Sequence, residues 1–171
     1  MKFDEVIQER YSVRRYADRP VEPQKLDAVL EEGRIAPTGG NNQPVHVYAL
    51  QSMESLQKVR SLTRCAFDAP VVLLVTYDTD VEWKNPLSPT VSSGQQDASI
   101  AGTYMMLKAT DLGLSTCWVN YFDVQKCHDA FDLPENETLL FMMPLGYAAE
   151  GVRPSHLHAK RNPMAQFARE L

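Results

Sequence analysis

Residues 71–75, Val-Val-Leu-Leu-Val, form an unbroken apolar run inside the stretch 70–77. Such a run is typical of a strand buried in a sheet. The strongest helical periodicity lies at 97–112, where Ala98, Ala101, Tyr104, Met105, Leu107, Ala109 and Leu112 cover a wide apolar arc and predict a central helix. Gly113 stands where a helix stop is expected. Shorter patterns predict helices over 3–10, 22–34, 52–62 and 124–131, with Pro23 in a first turn and Ser52 as a cap. Strands are expected over 45–50, 116–121 and 138–145. The tail from Pro154 becomes helical at about Met164. Residues 78–95 are polar, carry Pro86, Pro89 and Trp83, and predict a long loop of the functional or mobile kind.

The 171 residues are 44% hydrophobic and 23% charged, which suits one globular domain over 1–171 with a substantial core. The net charge of -5 and pI of about 5.3 argue against nucleic acid as a partner. No apolar run reaches the length of a transmembrane helix, so no membrane partner is expected. Met1-Lys2-Phe3-Asp4-Glu5 lacks the apolar core of a secretion signal. Cys65, Cys117 and Cys127 are an odd set without CxxC spacing, and predict reduced thiols in a cytoplasm rather than a disulfide framework or a zinc site. His156 and His158 have no third metal ligand nearby in the sequence, so no metal site is expected.

Against this acidic background the segment Glu9-Arg10-Tyr11-Ser12-Val13-Arg14-Arg15-Tyr16 stands out. Arg10, Ser12 and Arg14 alternate, so in an extended segment they point to one side. Two guanidinium forks and a hydroxyl make a receptor for a phosphate, although a solvated basic turn has the same composition. A second segment, Ala36-Pro37-Thr38-Gly39-Gly40-Asn41-Asn42-Gln43-Pro44, is a loop by its breakers. Its glycines permit close backbone approach, and the amides of Asn41 and Gln43 suit the edge of a planar heterocycle. A plain helix-to-strand connection is the alternative. A third, Lys160-Arg161-Asn162-Pro163, would add charge to a phosphate held by Arg10, or form a solvated basic tail.

Together with Gly113-Leu114-Ser115-Thr116-Cys117-Trp118 and Pro144-Leu145-Gly146-Tyr147, these segments resemble the FMN-dependent nitroreductase family in its short single-domain form, over residues 3–167. The resemblance implies an α+β fold with a mainly antiparallel or mixed sheet flanked by helices. It also implies a homodimer with two FMN sites at the subunit interface. It assigns Arg10, Tyr11, Ser12 and Arg14 to the flavin phosphate and ribityl chain, and Thr38, Gly39, Asn41 and Gln43 to the ribityl chain and ring edge. Trp118, Val119 and Asn120 would supply backbone near flavin N5, and Arg161 would return to the phosphate. The flavin itself would carry the chemistry, with no catalytic side chain. NADH or NADPH would be the hydride donor, and a small electron-poor molecule (a nitroaromatic, quinone or enone) the acceptor, in ping-pong order. Val45 replaces the usual aromatic, and Asn120-Tyr121 replaces the usual small residues. A flavin-binding carrier or sensor with little turnover therefore stays open as the alternative.

Overall fold

β2 (Val71–Asp78) contains the apolar run and lies at the centre of the molecule. In the computed structural model, which describes residues 1–170, every residue of β2 is buried. It pairs antiparallel with β1 (Val45–Leu50) on one side and with β4 (Glu137–Gly146) on the other. The short β3 (Ser115–Thr116) pairs antiparallel outside β4, giving the order β1-β2-β4-β3.

Strand alternation divides the core in two. Leu73, Val75 and Tyr77 face α2 (Pro23–Arg34) and α4 (Gly94–Asp111), where they meet Leu26, Val29 and Met105. Val72 and Leu74 face α3 (Met53–Leu62) and α5 (Val124–Ala130), where they meet Leu56, Val59 and Cys127. α1 (Phe3–Glu9) lies against α4, and α6 (Met164–Phe167) sits in the tail. The architecture is the α+β sandwich that the resemblance implies. No helix among the described residues is long and apolar enough to cross a membrane.

Local chemistry explains most boundaries. Ser52 Oγ accepts the Ser55 N–H at 3.0 Å and starts α3. Gly113 takes φ +72 just past α4, a conformation that a Cβ resists. One expectation fails. The strand expected over 116–121 is cut to Ser115–Thr116, followed by a single bridge from Val119 to Met142. Cys117 donates to the Pro144 carbonyl at 3.3 Å, but proline has no N–H to return, so the ladder breaks there. The 78–95 stretch is a loop, as expected, but one tied to itself. Lys84 bridges Ser92, and Trp83 exchanges backbone and side-chain hydrogen bonds with Ser93, forming a hairpin that runs straight into α4 at Gly94.

Tyr147, just past β4, pins the start of α2. Its hydroxyl donates to Glu22 Oε2 at 2.6 Å and accepts from Lys25 Nζ at 2.9 Å, while Arg19 stacks 3.8 Å above its ring. The Tyr147 bond, the backbone around Glu22 and Arg19 hold the Glu22 carboxyl down from its ordinary 4.5 to about 2. A depressed carboxylate stabilises the fold above its unfolded value, and that contribution is lost as pH falls through the folded one. The melting-temperature gap between wild type and Tyr147→Phe should therefore be full at pH 6 and shrink between pH 4.5 and about 2. A gap that widens on acidification would contradict this linkage.

Candidate functional site

The 10–16 segment lies extended beside β3. Val13 is fully buried and donates its N–H to the Thr116 carbonyl at 2.9 Å, while Ser12 bridges Thr116 in parallel. Tyr16 locks the segment from below, with its hydroxyl 3.0 Å from the carbonyls of both Val13 and Pro144. Burial pushes its phenol well above the ordinary range, so it acts as a neutral donor. With Val13 turned inward, Ser12 and Arg14 are left exposed on the outer side, as the alternation predicts.

The outer side forms one wall of a cup of about 260 Å³. Arg10, Tyr11, Ser12 and Arg14 line it from the N-terminal segment, and Ser155, Leu157, His158 and Arg161 line it from the tail. The tail is held in place by Tyr11, whose hydroxyl lies 3.4 Å from the Val152 carbonyl and whose ring meets His158 edge-on at 6.3 Å. Arg161 Nη1 donates to the carbonyls of His158 and Lys160, which fixes its guanidinium. The guanidinium groups of Arg10 and Arg14 have no ion pair or hydrogen bond among the described residues, and no carboxylate among those residues lines the cup. Like charges gathered without a counter-ion suit an anion with several acceptor oxygens.

Cys117 lies beneath this wall, close to Ser12 and Arg14. Burial raises its thiol, and the nearby arginine and hydroxyl offset that only in part, so it is a protonated core residue rather than a nucleophile. Burial likewise lifts Cys127 to about 11. A thiol reagent at pH 7.5 should therefore label at most the half-buried Cys65 in the native protein, and all three cysteines in denaturant. Rapid native labelling of Cys117, located by mass spectrometry, would show that the wall opens.

The 36–44 loop is folded tightly. Gly40, Asn41 and Gln43 all have positive φ, at 60, 58 and 55. Gln43 donates its N–H to Thr38 Oγ1 at 3.0 Å, closing the turn on itself. Asp97, buried in the first turn of α4, accepts the Gly39 N–H at 2.9 Å and the Ser93 hydroxyl at 2.6 Å. One carboxylate thus ties the loop to the 78–95 hairpin, a role beyond the helix-dipole contact that its position alone suggests. A Cβ at Gly39 would come within 2.8 Å of Ser93 Cβ and 3.0 Å of Trp83 Cβ, so the close approach of the two loops requires glycine there.

Thr38 and Gln43 open onto a groove of about 750 Å³ that follows the outer edge of β1. His46, Tyr48 and Glu137 line the same groove. The buried Glu137 carboxylate lies 2.7 Å from His46 Nδ1 and accepts from the hydroxyls of Tyr48 (3.0 Å) and Thr76 (2.5 Å). Loss of hydration, followed by the Glu137 contact, raises the Tyr48 phenol to about 12. Nothing local in the sequence marks Glu137, because its three partners come from two other strands.

Beyond the broken ladder, Val119 exchanges both backbone hydrogen bonds with Met142 at 3.0 Å. Its N–H is therefore committed to the sheet. The N–H groups of Trp118 and Asn120, on the opposite side, have no partner among the described residues. Trp118 stacks on Phe141 with centroids 3.6 Å apart, and its Nε1 donates to Asn120 Oδ1 at 3.1 Å, which orders the 118–120 backbone.

Apart from Trp118, Val119 and Asn120, which follow β3, the predicted residues fall into two groups. Arg10, Tyr11, Ser12, Arg14 and Arg161 converge on the cup beside β3. Thr38, Gly39, Asn41 and Gln43 sit at the start of β1, the opposite edge and the opposite end of the sheet. Three strand spacings and about six residues of strand length separate them by roughly 25 Å. One chain does not bring the two groups together.

The profile of the Nitroreductase family matches residues 7–68 and 61–147. A protein of Methanothermobacter thermautotrophicus, provisionally named an NADH dehydrogenase/NAD(P)H nitroreductase, is 30% identical over 92% of this chain and 86% of its own length. The crystal structure of a nitroreductase family protein from Clostridium difficile superposes with a TM-score of 0.91 at 36% identity, covering 99% of this chain and 98% of that one. A provisionally named nitroreductase from Desulfovibrio desulfuricans, solved in complex with FMN, superposes with a TM-score of 0.83 at 25% identity, covering 100% of this chain and 97% of that one.

Proposed function

The chain belongs to the nitroreductase family and is an NAD(P)H-dependent flavin oxidoreductase using FMN; from that premise we propose how it holds the cofactor and what it reduces. The FMN phosphate takes the cup made by Arg10, Ser12, Arg14 and Arg161, with Tyr11 bracing its wall. The observation that carries this reading is the cup itself: three arginines, two of them with side chains that have no partner among the described residues, around a small concavity that no described carboxylate lines. The residues present fit a phosphate dianion by charge and by donor type.

The ring end is completed by a second copy of the chain. Thr38, Gly39, Asn41 and Gln43 lie too far from the cup to serve the same FMN within one protomer, so a homodimer that sets one copy's loop against the other's cup accounts for both groups. The free N–H groups of Trp118 and Asn120 are the donors available to flavin N5, and Val119 contributes only the sheet bond that holds them in place. The chemistry that FMN supplies is electron transfer from NADH or NADPH to a nitroaromatic, quinone or enone, both molecules using one face in turn, hence ping-pong kinetics. The protein's part is to bind, orient and tune, and no side-chain nucleophile is required.

An absorbance spectrum of the purified protein, followed by anaerobic titration with NADH and NADPH, tests the assignment. Expected are a flavin spectrum, bleaching by at least one nicotinamide, reoxidation by benzoquinone, and a dimer by light scattering. Colourless protein that ignores added FMN would sink the reading. Full flavin occupancy in a monomer would sink the shared site alone. Bound FMN without turnover would indicate a carrier.

A further inference from the structure

We propose that His158, together with Ser155, is a ligand of the phosphate, so that the tail turn forms half of the receptor rather than lending a single arginine; this rests on the FMN reading above. His158 is half-buried at the rim of the cup that Arg10, Ser12, Arg14 and Arg161 line. Neither of its ring nitrogens has a partner among the described residues, although its ring is packed edge-on against Tyr11. An imidazole packed on an aromatic neighbour, in a cup lined by three arginines, has a ring N–H to offer an anionic oxygen.

The turn is built to place it there. His158 donates its N–H to the Ser155 carbonyl at 2.8 Å, and Ser155 Oγ lies 3.3 Å from the Leu157 N–H. The His158 carbonyl then receives the Arg161 guanidinium. One residue therefore aims the arginine with its backbone and offers its ring to the same ligand. The residues that line the cup with His158 are Arg10, Tyr11, Ser12 and Arg14 from the N-terminal segment and Ser155, Leu157 and Arg161 from its own turn, none of them acidic. The ligand class this selects is a terminal phosphate monoester.

The test compares FMN with riboflavin, which lacks the phosphate, by quenching of flavin fluorescence. Wild type should prefer FMN strongly. His158→Ala should lower FMN affinity about three- to tenfold, the loss of one hydrogen bond, and leave riboflavin affinity unchanged. His158→Gln, which keeps an amide donor, should recover most of the loss. Unchanged FMN affinity in His158→Ala overturns the assignment, and so does an equal fall for both flavins, which would mean that the tail turn had collapsed. A wild type that binds FMN no better than riboflavin instead overturns the phosphate cup as a whole.

Discussion

Arg10→Ala is expected to weaken FMN binding roughly ten- to a hundredfold while leaving the melting temperature of the FMN-free protein nearly unchanged. The expected size follows from removing a charge-assisted hydrogen bond of about 1.5–3 kcal/mol. The small effect on stability follows from the structure. The Arg10 side chain makes no ion pair or hydrogen bond among the described residues and lines the cup with other cations, while its backbone N–H, which caps α1 on the Val6 carbonyl, is kept in the variant. Arg10→Lys should fall between the two, because an ammonium replaces a planar fork with a point charge. Riboflavin affinity is the control and should not change. Full FMN affinity in Arg10→Ala, measured at fixed ionic strength, would place the phosphate elsewhere. Arg161→Ala should act in the same direction. Because the residues share one ligand, the double variant should lose less than the product of the single losses.

Phe141→Ala should have the largest effect on the fold, a loss of about 3–5 kcal/mol. Phe141 is fully buried at the centre of β4, opposite Val75 in the register with β2. One face of its ring stacks on Trp118, and its edge fills the space above Gly102 of α4, where an added Cβ would also come within 2.8 Å of Trp118. Truncation leaves a cavity between sheet and helix that neither can easily close. A domain of ordinary stability, about 5–15 kcal/mol, loses a large part of its margin to such a change. Urea denaturation should show a much lower midpoint with an unchanged slope. Fluorescence from Trp118 should shift to the red as its stacking partner disappears. A loss below about 1 kcal/mol would mean that this layer repacks freely, contrary to the tight stack observed. Phe141→Leu should retain the fold but still disturb Trp118. It therefore separates the stability of the sheet from the ordering of the 118–120 backbone.

Much of the fold was legible from residue patterns. The apolar run in β2, the wide apolar arc of α4, the Ser52 cap and the Gly113 stop all act over a few residues, and all stand in the structure. The strand expected at 116–121 was not, because its pairing depends on which residue of β4 lies opposite. That residue is Pro144, which cannot donate. The same holds for Asp97. Its place in the first turn of α4 could be read from the sequence, but its hydrogen bond to Gly39 spans the gap between two loops. Nothing near His158 in the sequence reveals that its ring meets Tyr11 or that it shares a cup with Arg10.

The sequence by itself determined the inventory: the alternating basic segment, the glycine-and-amide loop, the closing arginine, and the elements that carry them. These follow from side-chain chemistry and backbone preference, which act locally. Tertiary structure alone decided which of those parts meet. It brings residues 10–14 and 155–161 to one cup and leaves the 36–44 loop at the far corner of the sheet. Strand order and register set those distances, and they arise from contacts between residues far apart in the chain.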